Sequence, residues 1–301
     1  MGRKTNVLDL MPRRDARRLE ARSAGSTVSY YGVLTLLAVA FLLPLYFMVI
    51  TSVKPLDEVY GSPFRWLPST LQFENYVNGW TALPFTRYLF NTLIIVVASV
   101  TGAVISISMT GYALARINFP ARSVFFALVI GTMLLPTEVR FVPEFVIWSR
   151  LGFVNTFVPL IVPSWLAQGE AKIFLLRQLF RGLPSDLEAA AKIDGASPVQ
   201  RFTMVILPNA KAGIGIVLLL EFVTNWNKFI DPLIYLKEEK LFTLNVGLNM
   251  FRDIYSAAVF GVENIHWFMA VATLIVLPIL VIFLFLQRFF IEGIQLSGMK
   301  G

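Results

Sequence analysis

Residues 88–115 read "YLFNTLIIVVASVTGAVISISMTGYALA", and not one of these 28 side chains is charged. About 20 apolar residues suffice to cross the hydrocarbon core of a bilayer. Two more runs do the same: Val28 to Val53 holds 26 uncharged residues and Trp267 to Gln287 holds 21. Hydrophobic residues make up 56% of the chain and charged ones 15%, against roughly 25% charged in an average soluble domain. A chain of 301 residues is too small to hide three such helices from water. The expected fold class is therefore an all-α integral membrane protein. Val28 to Val53 does not read as a cleavable signal peptide, because its apolar core is too long and no small-x-small site precedes a hydrophilic mature chain.

Three weaker stretches bring the expected number of transmembrane helices to six. Ser123 to Thr137 is uncharged and ends around Pro136, with Glu138, Arg140 and Glu144 close behind. Leu151 to Gly169 contains Pro159 and Pro163, and Ala212 to Tyr235 carries Glu221, Asn225, Asn227, Lys228 and Asp231. Prolines and charges at membrane depth are tolerated mainly where a helix faces protein or a water-filled cavity. These three are expected inside a bundle, around a pathway.

Basic residues set the orientation. With the N-terminus inside, the segments 1–27, 113–123, 177–211 and 286–301 hold 16 Lys and Arg, and the opposite segments 54–87, 137–156 and 236–264 hold 8. An excess of positive charge marks the cytoplasmic side, so both termini are expected there. The net charge of +7 then reflects topology rather than nucleic-acid binding. Residues 1–27 form a basic cytoplasmic arm, whose "MPRRDARRLEARSAG" suits anionic lipid headgroups or serves as a topology anchor. Residues 28–53 are the first span. Residues 54–85 form an external loop, rich in proline and carrying Trp66 and Trp80, that reads as an ordered cap at the outer interface.

One stretch is out of character with the apolar runs around it. "SDLEAAAKIDGASPVQRFTMVILP", Ser185 to Pro208, reads as a water-facing helix, a glycine break and a second short helix. Ser185 with Glu188 three residues on has the spacing of a capping box. Ala189, Ala190 and Ala191 favour helix, and Gly195 suits a left-handed end. Ser197-Pro198 offers a fresh start with proline at the first helical position. Phe202, Val205 and Ile206 give an apolar stripe, and Pro208 is expected to stop the run.

That stretch resembles the EAA loop of permease subunits of bacterial ABC importers, whose pattern is Glu-Ala-Ala, three residues, Gly, nine residues, Ile-x-Leu-Pro. Counting from Gly195, Val205 takes the isoleucine place, Leu207-Pro208 match, and the triplet falls on Ala189-Ala190-Ala191, with Asp194 before the glycine. The motif's glutamate is thus alanine here, and Glu188 stands one residue early, a rotation of about 100° on a helix. Two roles for Glu188 remain side by side: a cap of its own helix, or a contact to the partner ATPase. "PLYFMVITSVKP", "LLPTEVRFVPEFVIWSRLGFVNT", "FVTNWNKFIDPLIYL" and "QRFFIEGIQLSGMKG" are similar to the carbohydrate-uptake branch, of the six-span maltose inner-membrane permease type. That likeness covers nearly the whole chain from about Phe41.

The resemblance implies a type I ABC importer permease fold over residues 86–290. Its cytoplasmic EAA coupling helix would lie within about 181–211, and residues 291–301 would be a cytoplasmic tail. It also implies a second homologous permease, two copies of a cytoplasmic ATPase, an extracytoplasmic solute-binding protein and a sugar, oligosaccharide or glycerol-phosphate-type solute, in a bacterial inner membrane. No catalytic constellation, cofactor site or metal site is expected. The chain has no cysteine, a single histidine (His266) and no phosphate-binding loop. A carrier driven by an ion gradient is the alternative, with Glu221, Lys228 and Asp231 as coupling charges, but no internal repeat supports it. For the solute path the candidates are Glu221, Asn225, Trp226 and Asn227. Amides can serve hydroxyls and an indole can stack on a sugar ring, or the same groups can bond helix to helix.

Overall fold

The computed structural model describes residues 13–61, 65–255 and 264–298. Among them every regular element is helical. The long ones are α1 (Arg13–Ser52), α4 (Phe85–Arg116) and, last in the chain, α14 (Ile265–Gly298). Between α1 and α4 lie α2 (Leu56–Val59) and α3 (Glu74–Ala82). After α4 come α5 (Arg122–Met133), α6 (Thr137–Arg150), α7 (Val158–Trp165), α8 (Glu170–Gly182) and α9 (Ser185–Ile193). Next are α10 (Pro198–Asn209) and α11 (Lys211–Trp226), which meet at an angle of 84°, then α12 (Ile230–Tyr235) and α13 (Leu244–Tyr255).

The axis of the bundle is α4, and its sequence explains why. Asn91, Ile95, Ser99, Ala103, Ile107 and Gly111 are buried, four residues apart and therefore on one face. Ile94, Val97, Ile105 and Met109 are exposed on the other, where lipid can cover them. Small residues bring neighbours close: a Cβ on Gly111 would stand 3.1 Å from the Leu176 Cβ of α8. Serines serve as interhelical donors, Ser99 Oγ to the Leu160 carbonyl at 3.1 Å and Ser106 Oγ to the Ser164 carbonyl at 2.8 Å. Around α4 pack α7, α8 and α11, and α14 crosses α1, α3 and α11.

Three helices are long and apolar enough to cross a membrane, and five crossings result if each of two bent pairs counts as one. The weaker spans differ from expectation. Leu151 to Gly169 is not one crossing helix, because only Val158–Trp165 is helical there, about 12 Å of rise. Left-handed turns at Gly152 and Asn155 precede it, and Ala167 and Gly169 at positive φ follow it. The Ser123 to Thr137 stretch becomes the 12-residue α5, and the chain turns at Pro136 into α6. The first helix starts at Arg13 rather than at residue 28, so the second half of the basic arm is continuous with the span. Residues 1–12 and 299–301, with both termini, lie outside the described residues.

Hydrogen bonds tie down the segment after α1. Lys54 Nζ donates to the Arg65 carbonyl at 2.5 Å, Asn75 Nδ2 to the carbonyls of Ser52 and Lys54 at 3.0 Å, and Arg65 to Glu58 at 3.1 Å. Hydrogen bonds from Ser69, with the positive charges of Arg65 and Lys54, hold the Glu58 carboxyl below its ordinary range.

Candidate coupling hairpin and buried polar network

The hairpin from Ser185 to Asn209 sits beside the C-terminal end of α4. Gly195 has φ +81°, a left-handed conformation that costs glycine least, and it turns the chain from α9 to α10. Ser197 caps α10: its Oγ accepts from the Gln200 N–H at 3.3 Å, and the Gln200 Oε1 accepts from the Ser197 N–H at 2.8 Å. The capping box expected at Ser185 and Glu188 is therefore found at Ser197 and Gln200 instead. Pro184 stands at the start of α9 with no side-chain cap. Pro208 does not stop the run either. Residues Arg201–Ile206 widen into a π turn, which accommodates the missing proline N–H, and the bend falls at Ala210.

Glu188 is committed elsewhere. The Tyr112 hydroxyl donates to Glu188 Oε1 at 2.6 Å, and Arg116 Nε lies 3.6 Å from Oε2. Ala191, Val205 and Leu207 are half-buried against the bundle, while Ala189, Ala190, Asp194, Gly195 and Pro208 are exposed. At the tip, Ile193 is 87%, Val199 69% and Met204 72% exposed. Three apolar side chains thus stand out from a polar hairpin, and little among the described residues covers them.

Deeper in the bundle a second polar cluster joins α8 to α11. Lys172 Nζ lies 2.7 Å from Glu221 Oε1, with the carboxylate side chain only 5% exposed. Asn225 Nδ2 donates to Glu221 Oε2 at 3.1 Å. Trp226 is fully buried; its indole stacks on Phe222 and donates from Nε1 to the Ile275 carbonyl of α14 at 3.1 Å. Of the four residues expected along a solute path, only Asn227 is exposed. The physical reason is the low dielectric at this depth, which favours pairing: the carboxylate, the indole and the Asn225 Nδ2 have partners, while Asn225 Oδ1 has none among the described residues. Sequence reading named Glu221 but missed Lys172 as its partner. Two lone charges of opposite sign on separate spans were the available signal.

A cleft of about 490 Å³ opens beside this network, lined in part by Leu128, Thr132, Glu144, Trp148, Gln168 and Glu170. Arg140 pairs with Glu170 at 3.2 Å at its edge. Among the described residues, no group of three or more His, Asp or Glu side chains could hold a metal ion.

The described residues thus form a helical bundle with membrane-length apolar helices, buried polar ties and a polar hairpin bearing exposed apolar side chains. Residues 102–295 match the family described as the binding-protein-dependent transport system inner membrane component, and this chain belongs to that family. It is a permease subunit of a binding-protein-dependent ABC importer, which sets aside the reading as an ion-driven carrier. It is 30% identical over 271 residues, covering 88% of this chain and 93% of the relative, to the arabinooligosaccharides transport system permease protein AraQ of Bacillus subtilis (strain 168). It is 29% identical over 276 residues, 89% of this chain and 95% of the relative, to the sn-glycerol-3-phosphate transport system permease protein UgpE of Escherichia coli O1:K1 / APEC. Its fold is like that of a chain in a bacterial ABC transporter that imports the acidic polysaccharide alginate. There the TM-score is 0.78 at 22% identity, over 93% of this chain and 99% of that one.

Proposed function

We propose that this chain lines half of the path for a sugar or oligosaccharide and drives it by docking a separate ATPase. The observation that carries the proposal is the exposed apolar tip of the Gly195 hairpin, held on a polar stem against the end of α4. A helix tip with small residues behind it fits a groove in a partner. The EAA-loop residues then divide: Ala189, Ala190, Asp194 and Gly195 face the ATPase, while Val205 and Leu207 pack the stem, with Pro208 beside them. Two ATPase copies, a second homologous permease and an extracytoplasmic binding protein complete the assembly. The second permease and lipid cover α1, whose residues 29–46 are exposed among the described residues.

Six crossings follow if α5–α6, α7–α8 and α11–α12 each cross once beside α1, α4 and α14. The hairpin then faces the cytoplasm with both termini. The 16-to-8 distribution of basic residues supports this. The solute runs past the cleft and Asn227, with Glu221, Asn225 and Trp226 as the scaffold behind it. The cleft is lined mostly by apolar side chains, among which Trp148, Gln168 and Glu144 can serve a hydroxyl-rich solute, and its volume is in the usual range of roughly 300–1,000 Å³ for ligand sites. The names of the relatives support both a sugar and a glycerol-phosphate-type solute. The test is to purify the membrane complex with its ATPase and binding protein in lipid. Oligosaccharides should stimulate ATP hydrolysis; stimulation by glycerol phosphate alone would reject the sugar assignment.

A further inference from the structure

We infer that Glu188 is neither a helix cap nor a contact to the ATPase but an internal tie that makes the hairpin and α4 move together. This rests on the reading of the hairpin as the ATPase dock. Tyr112 and Arg116 are one turn apart on α4 and so share a face. Both aim at the same carboxylate, at 2.6 Å and 3.6 Å. The side chains of Arg116 and Glu188 are 13% and 12% exposed, which leaves little of the carboxylate for another protein. Ala189 and Ala190, beside it on α9, are the residues that face outward.

The same guanidinium reaches further. Arg116 donates from Nε and Nη2 to the Phe180 carbonyl at 2.9 and 2.6 Å, and from Nη2 to the Leu183 carbonyl. Those carbonyls belong to the C-terminal end of α8, where the helix leaves acceptors without partners of its own. The Tyr112 ring lies 4.9 Å from the Phe202 ring of α10 and 6.3 Å from that of Phe180. One turn of α4 therefore holds the end of α8, the middle of α9 and the start of the π turn in α10. A load on the exposed tip passes through these contacts into the span. The sequence fits the same division: the outward position 189 is an uncharged alanine, and the charge of Glu188 is turned inward. Glu188 is a positioning residue.

The experiment uses the whole importer in vesicles with Tyr112→Phe, Glu188→Gln and the double variant, and reads solute moved per ATP hydrolysed. Each single change should lower that ratio roughly tenfold, Tyr112→Phe by removing the donor and Glu188→Gln by removing the charge that strengthens the bond and attracts Arg116. The double variant should fall no further, because the two residues share one interaction. The amount of co-purified ATPase should stay at the wild-type level in all three. A wild-type ratio in Tyr112→Phe, independent losses that multiply in the double variant, or ATPase lost with Glu188→Gln but not with Tyr112→Phe would each overturn the tie. If Glu188→Gln fails to accumulate in the membrane, Tyr112→Phe alone decides. Ile193→Asp separates the two readings: retained ATPase in that variant would refute the dock itself, whatever the tie does.

Discussion

Two carboxylates, Glu221 and Glu188, each join helices that are far apart in sequence, yet they sit in different settings. Glu221 is locked in mid-bundle by Lys172 at 2.7 Å and by Asn225. Glu188 is at the end of α4, where a tyrosine hydroxyl holds it more closely than its cation does. In the first setting the medium has low dielectric, and an unmatched charge is expensive. In the second, the carboxylate lies next to an exposed hairpin, with its side chain 12% exposed. On the proposed reading, the mid-bundle pair holds the bundle and the Glu188 contact carries motion from the hairpin.

The largest effect belongs to the mid-bundle pair. Lys172→Met should strand the Glu221 charge and destabilise the protein by about 3 kcal/mol or more, read as a lower unfolding temperature in detergent and a depleted membrane fraction. Combining it with Glu221→Gln, which can keep the bond to Asn225, should restore most of the loss. A stable Lys172→Met single variant would remove the contrast between the two regions.

Gly195→Val comes next. Nothing lies within 4 Å of a Cβ placed there, so the cost is backbone strain alone, roughly 1–3 kcal/mol, confined to the hairpin. Membrane level should be normal, ATPase attachment weak and uptake lost. Gly195→Asn, which tolerates the left-handed region, should retain most uptake. Equal behaviour of the two variants would sink the argument from φ.

On the bundle side, Trp226→Phe should cost about 1 kcal/mol for the lost indole bond, seen in thermal unfolding. Solute preference should not change, since the ring faces α14. A changed solute range would put the indole in the path after all.

The smallest effect concerns the segment after α1. The Glu58 carboxyl is held below 4.5, so its contribution is present at neutral pH and is lost as acid carries the pH through that lowered value. Proteolysis within 54–73 in purified protein should quicken below about pH 4.5, the ordinary value of the group, and Glu58→Gln should abolish the pH dependence.

Much of this was legible from residue order. The three long spans follow from charge-free runs, the Gly195 turn from glycine before Ser-Pro, and the family resemblance from Ser185 to Pro208 and the stretches beyond it. What escaped was long-range. The spacing of Ser185 and Glu188 fits a local cap, but Tyr112, 76 residues away, offers the carboxylate a better donor. Leu151 to Gly169 has the composition of a span, yet two left-handed turns before its helix and two positive-φ residues after it leave one short helix. An uncharged run reports what lipid would tolerate and says nothing of how its backbone is interrupted. Asn225 and Trp226 were read as polar and aromatic, and only the packing shows which way they face.

The central claim, that the Gly195 tip docks an ATPase on the cytoplasmic side, is tested most directly by one cysteine. The chain has none of its own, so Ile193→Cys provides a single label. In intact cells an impermeant maleimide should leave it unlabelled, while the same reagent on inside-out vesicles should label it only after the ATPase is stripped away. Labelling in intact cells, or equal labelling with and without the ATPase, would contradict the account.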